Sequence, residues 1–184
     1  TSTFIERRKE YRLPFAEKII FSDGNRARAT YAANVSRGGM FVTSLDPFPI
    51  DTTGYIAFVL PSQATSICVK SKVVHIVFDR QRCEIECGMG FQFLEMNDSQ
   101  RSILNLHVLN EQTNYMELKK LLAENRPDLN AVEKFVRKLP ALQRLDLLAL
   151  RYRVNRICTI FEPTPDSFSA ESPAGKYLIS LGVS

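Results

Sequence analysis

The segment ICVKSKVVHIVF, residues 67–78, sets Ile67, Val69, Ser71, Val73, His75 and Val77 on alternate positions. A side-chain period of two marks a strand with one buried face. Working downstream, Asp79-Arg80-Gln81-Arg82 supplies a turn. Residues 84–94 then return with Met89, Phe91 and Phe93 on one face. Gly88 and Gly90 interrupt that strand, and glycine inside a strand signals a bulge or a close backbone approach. Upstream, residues 55–60 and 40–43 read as further short strands, separated by an irregular crossing at Pro47 and Pro49. Residues 13–22 run to Asp23-Gly24, a strong hairpin signal, and the chain resumes over 26–33. Six short strands joined by tight turns predict a small antiparallel barrel. Closing the sheet removes the edges that would otherwise pair with other chains.

From Asn97 the period changes. Asn97-Asp98-Ser99-Gln100 can cap a helix that Ile103, Leu104, Leu106, Val108 and Leu109 continue. Residues 115–123 read as a second helical run. Pro127 opens a third, with Leu129, Val132, Phe135, Val136 and Leu139 at helical spacing, and Pro140 breaks it. Residues 141–157 form a fourth, carrying Leu142, Leu145, Leu147, Leu148 and Leu150. Residues 162–171 read as a loop, and Ser172-Pro173 starts a short final helix that ends at Gly182. The expected architecture is mainly β plus α. A six-stranded antiparallel barrel with its N-terminal arm and following helix occupies 1–110, and an all-helical extension occupies 111–184.

Composition sets the outer limits. With 184 residues, 45% of them hydrophobic, the chain can bury a core without disulfides or metal. Twelve phenylalanines and no tryptophan suit a small aromatic-filled interior. The net charge of +4 fits an anionic partner but is too small for a nucleic-acid coat. Cys68, Cys83, Cys87 and Cys158 form no framework, and His75 and His107 lack ligand spacing, so buried reduced thiols in a cytoplasmic protein are expected. No run approaches the ~18 apolar residues of a membrane span, and no signal peptide is legible.

Two polar runs stand out against this background. ERRKEYR at 6–12 places the guanidinium forks of Arg7, Arg8 and Arg12 close together, just before the first strand. NVSRGG at 34–39 offers the short polar side chains of Asn34 and Ser36 and the open backbone of Gly38 and Gly39. Arginine pairs with phosphate through two parallel charge-assisted bonds and stacks on ring faces, which lysine does not do. The pair of runs suits something flat, polar and doubly anionic. Asn34 can act as donor or acceptor, Ser36 adds a hydroxyl, and Gly39 lets the backbone come close or adopt a positive φ.

In these runs the chain resembles the PilZ domain, a bacterial receptor module for cyclic di-GMP. RKEYR at 8–12 matches the family's RxxxR, and NVSRGG at 34–39 matches [DN]xSxxG. GMGFQF at 88–93 is similar to its last core strand. The resemblance covers roughly residues 4–110. It implies a ligand site at Arg7, Arg8, Arg12, Asn34, Ser36, Arg37, Gly38 and Gly39, with cyclic di-GMP as ligand and no other cofactor. Arg8 and Arg12 would clamp phosphate and guanine, and Asn34 and Ser36 would complete guanine recognition. An arginine directly before RxxxR, here Arg7, goes in this family with two intercalated ligand molecules. Asn34 stands where aspartate is commoner, which removes a salt-bridge option but not the hydrogen bonding.

The remaining residues carry plainer readings. Arg137, Lys138, Arg144, Arg151, Arg153 and Arg156, against the single acidic Asp146, read as the charged outer face of a helical bundle. Gly88 and Gly90 read as barrel-bending positions, and His75 as a satisfied or surface histidine without a catalytic role. No nucleophile–base pair or paired carboxylates point to an enzyme. The expected function is a non-enzymatic cyclic di-GMP receptor that relays binding to a protein partner through residues 111–184. The alternatives are an adaptor with a ligand-insensitive barrel and, less favoured, a nucleic-acid-binding barrel with steep salt dependence.

Overall fold

The computed structural model describes residues 12–61, 64–78 and 87–159. Seven strands appear among the described residues: β1 (Leu13–Pro14), β2 (Lys18–Ser22), β3 (Ala27–Val35), β4 (Gly39–Thr43), β5 (Thr53–Leu60), β6 (Thr65–Val77) and β7 (Gly88–Glu95). All pairings are antiparallel, in the order β1-β3-β2-β5-β6-β7-β4, and β4 returns to β3. The six strands β2 to β7 therefore close into the expected barrel. β1 is an additional short strand on β3.

The run expected as one strand over 13–22 is divided. Leu13 pairs with Val35 and Pro14 with Asn34, whereas Lys18 pairs with Tyr31, so the register slips by one residue between β1 and β2. The backbone stays bonded to β3 across the slip, through Phe15 N–H to Ala33 O at 3.1 Å and Ala32 N–H to Glu17 O at 3.0 Å. The β2–β3 turn forms as its residues dictate. The Asp23 carboxylate accepts from the N–H groups of Asn25 and Arg26, and Gly24 takes a φ of +93° that other residues rarely adopt.

Alternation fills the barrel. Along β5 and β6, Ile56, Phe58, Leu60, Ile67, Val69 and Val73 point inward and are buried. Phe21 lies edge-on to Phe48 with ring centroids 4.8 Å apart and packs on Phe91 at 4.7 Å. Such aromatic pairs add about 0.5–1.5 kcal/mol beyond the area they bury. Gly90 accommodates His75, whose ring would collide with any Cβ there and which stacks on Phe41 at 5.9 Å. The pairing of β6 with β7 slips beside this point, so Gly90 serves the bend of the barrel.

Three α-helices follow among the described residues: α1 (Asp98–Ala123), α2 (Leu129–Lys138) and α3 (Leu147–Cys158), with a 3-10 turn at Pro140–Leu142. Asn97 and Gln100 form a full capping box at the start of α1. The two helical runs expected over 103–109 and 115–123 are one continuous 26-residue helix, which is a correction. Residues 110–114 are polar but include no glycine or proline to interrupt the hydrogen-bond ladder. α2 is capped by Asp128, so Pro127 lies just outside the helix rather than in its first turn. α3 starts later than expected, where the Asp146 side chain accepts from Ala149 N–H at 2.8 Å. The expected final helix after Ser172, the turn at 79–82 and Cys83 lie outside the described residues.

The helices join the barrel in one hydrophobic cluster. Leu104, Val108, Tyr115, Leu118 and Leu122 of α1 are buried, as are Leu150, Val154, Ile157 and Cys158 of α3. Phe15 packs edge-on against His107, and Gln100 bonds the Cys68 carbonyl at 2.9 Å. Of the leucine stripe, Leu142 and Leu150 are buried but Leu148 is 79% exposed. Cys87 and Cys158 are buried as expected, while Cys68 is exposed, because it falls on the outward phase of β6. No described helix is long and apolar enough to cross a membrane.

Candidate functional site

The β3–β4 hairpin forms a rim that carries Asn34, Ser36, Arg37, Gly38 and Gly39. On β3 the pairing with β4 slips between Ala32, opposite Val42, and Asn34, opposite Phe41. A bulge bends its strand and re-aims the side chain that follows it. Here that residue is Asn34. Its Oδ1 is buried and has no hydrogen-bond partner among the described residues. Since the oxygen and nitrogen of an amide interchange by a half-turn, the unpartnered end of Asn34 can be either a donor or an acceptor. Such an orphan destabilises a fold by about 1–3 kcal/mol.

Ser36 behaves differently from its neighbour. It is buried, its hydroxyl accepts from Gly38 N–H and donates to the Gly39 carbonyl, each at 3.3 Å, and its own N–H bonds Gly39 O at 2.8 Å. The hydroxyl expected to meet the ligand is thus engaged in shaping the turn. Arg37 and Gly38 sit exposed at the tip, and the Gly38 carbonyl accepts from Phe93 N–H at 2.9 Å, which ties the tip to β7. Gly39 has no left-handed φ. A Cβ at this position would collide with the Phe91 carbonyl oxygen and lie 3.2 Å from its carbon. The close approach that requires glycine is between β4 and β7.

The described chain begins at Arg12, directly before β1 and beside this hairpin. β1 pairs Leu13 with Val35 and Pro14 with Asn34, and continuing that register by one residue sets half-buried Arg12 alongside Ser36. Arg12, Asn34, Ser36, Arg37 and Gly38 are thereby brought to one rim. Arg7 and Arg8 lie outside the described residues. Two of the basic residues of the tail have partners within it: Arg137 pairs with Glu133 at 2.7 Å, and Arg151 bonds the Glu124 carbonyl at 3.0 Å.

Two hollows adjoin these elements. A cavity of about 200 Å³ lies between the hairpin tip at Arg37 and Gly38, the end of β7 at Phe93 and Leu94, and the first turns of α1 at Arg101 and Asn105. A larger one, about 550 Å³, opens between the β1 segment and the helices, walled by Phe15, Glu17, His107, Glu111, Arg137 and Pro140 among others. Burial raises the Glu111 carboxyl to about 7 and also raises Glu17. Burial pushes the His107 imidazole down. Sequence reasoning missed both sets. The i, i+4 spacings of Arg101 with Asn105 and of His107 with Glu111 and Tyr115 become visible once 98–123 is one helix.

Comparison with known proteins bears on the family and the fold. The PilZ domain profile matches residues 6–110, more than half of the chain. No curated protein sequence matches it. Among solved structures, the Bacillus subtilis inhibitor of motility (MotI/DgrA) is 18% identical with a TM-score of 0.50, covering 60% of this chain and 53% of that one. YcgR from Escherichia coli, in complex with c-di-GMP, is 14% identical with a TM-score of 0.51, covering 61% and 49%. The MrkH–c-di-GMP complex of K. pneumonia is 14% identical with a TM-score of 0.50, covering 58% and 52%. The match spans about half the length of each of these chains. At such identities the likeness speaks for the barrel fold, and with the matched span it establishes that the chain belongs to the PilZ domain family.

Proposed function

We propose that this chain is a non-enzymatic receptor for cyclic di-GMP, which binds on the β3–β4 rim under the arginine arm. The observation that carries the reading is the β1–β3 pairing that sets Arg12 beside a hairpin holding an unpartnered amide end on Asn34. The ligand offers two phosphates for the forks of Arg8 and Arg12 and two guanines whose O6 and N7 edges suit arginine. Asn34 supplies a further polar contact to a base. Ser36 and Gly39 act mainly by holding the hairpin in shape, and Arg37 and Gly38 present the tip. Arg7 adds a third fork, which offsets the repulsion between the phosphates of two intercalated ligand molecules. The PilZ family membership and the c-di-GMP complexes of YcgR and MrkH support this reading.

The region beyond residue 110 is the output. α1 starts at β7 and runs unbroken into contact with α3, where the Cys158 thiol approaches the Tyr115 carbonyl at 3.5 Å. A ligand that binds one arrangement of arm and helix better than another shifts the tail by that difference in affinity and presents it to a protein partner. Calorimetric titration with cyclic di-GMP tests the core of the proposal. Two molecules per chain are expected for the wild type, and Arg12→Ala should abolish binding while leaving the melting profile intact. Retained affinity in that variant would refute the site, and one molecule per chain would refute the paired ligand. Unchanged hydrogen exchange in α1 and α3 at saturation would leave an adaptor without ligand response.

A further inference from the structure

Building on the receptor reading, we propose that Arg101 and Asn105 of α1 form a base subsite that receives one guanine of the bound nucleotide. The 200 Å³ cavity they line shares Arg37 and Gly38 with the hairpin tip, so it opens directly from the rim. It is smaller than the ~300–1,000 Å³ typical of a pocket that holds a whole ligand, which suits a subsite for one ring.

Its walls differ in character. Phe93, Leu94 and Met96 supply apolar surface, while Arg37, Arg101 and Asn105 supply forks and an amide. A base has flat apolar faces and a polar edge and uses both kinds of wall. A phosphate would use only the charged one. Arg101 and Asn105, four apart on α1, face the same side of the helix. Arg101 is exposed, and among the described residues its guanidinium makes one long bond, 3.5 Å to the Met96 carbonyl, and no ion pair. Its fork is therefore available for a bidentate contact to the O6 and N7 edge of guanine, and the Asn105 amide for a second polar contact on the ring. The contact would also fasten the ligand to the helix that carries the tail.

The test titrates cyclic di-GMP into the full chain as wild type, Arg101→Ala, Arg101→Lys and Asn105→Ala, with a thermal melt of each. Arg101→Ala should weaken binding by about 5- to 100-fold, the worth of one bidentate base contact. Arg101→Lys should be nearly as poor, because a point charge does not reproduce the fork. Asn105→Ala should lose less, and all melts should match the wild type. Affinity unchanged in Arg101→Ala overturns the subsite. Full affinity in Arg101→Lys, with loss in Arg101→Ala, identifies a phosphate contact and overturns the base assignment. A wild type that fails to bind refutes the receptor reading itself, and the subsite falls with it.

Discussion

Replacing Glu111 with glutamine should change how stability depends on pH. The side chain sits at the junction of barrel and helices, 9% exposed, beside the 550 Å³ cavity. Burial holds its carboxyl at about 7 instead of the ordinary 4.5. The folded state thus binds this proton more tightly than the unfolded chain. The stability it contributes is fully present below about pH 4.5, declines as pH rises, and is lost above about pH 7. A separation of that size corresponds to about 3 kcal/mol, an upper bound because water entering the cavity solvates the carboxylate. His107 works in the opposite direction: burial lowers its value, so its contribution is present above the ordinary 6.5 and is lost as pH falls. Glu17 on the barrel side and Arg137 and Lys138 on the helical side face the same space and are common to both proteins. The difference between wild type and Glu111→Gln therefore isolates the carboxyl. Urea unfolding followed by far-UV circular dichroism, since the chain has no tryptophan, should show the variant gaining on the wild type by up to about 3 kcal/mol between pH 5 and pH 8. A difference that stays constant over that range would mean that the carboxylate is well solvated and the reasoning from burial is wrong.

Two other substitutions separate shape from recognition on the rim. Gly39→Ala drives a Cβ into the Phe91 carbonyl, so it should lower stability by about 1–3 kcal/mol or more through forced strand separation, read as a drop in urea midpoint without any ligand present. An unchanged midpoint would return Gly39 to the role of a ligand contact. Asn34→Ala removes a buried polar atom that has no partner, so thermal stability should hold or rise while cyclic di-GMP affinity falls at least tenfold, by about 1.4 kcal/mol or more. A loss of melting temperature with affinity retained would reverse that assignment.

Several features of this chain were legible from local chemistry alone. The alternation in residues 67–78, the Asp23-Gly24 turn and the Asn97 cap each depend on neighbours a few positions away, and each forms as read. The arginine run and NVSRGG carried the resemblance to the PilZ family, and the family match over residues 6–110 bears that resemblance out. What failed locally depended on burial. Residues 103–109 and 115–123 read as separate helical runs, yet the helix continues through 110–114 and places Glu111, largely buried, on the wall of the larger cavity. Which bonds the Ser36 hydroxyl makes within the turn, to Gly38 N–H and the Gly39 carbonyl, was likewise not readable from its neighbours.

The sequence by itself determined where strand character gives way to helix character, and which side chains are chemically suited to an anionic ring system, since both follow from short-range periodicity and functional groups, whereas the joins and breaks between segments did not. Tertiary structure decided which of those side chains are available. The slip on β3 re-aims Asn34, the pairing of Leu13 with Val35 brings Arg12 to the hairpin, and the path of α1 adds Arg101 and Asn105. These depend on register and on packing between distant segments, and a side chain's solvation and hydrogen-bond partners are set only when those segments meet.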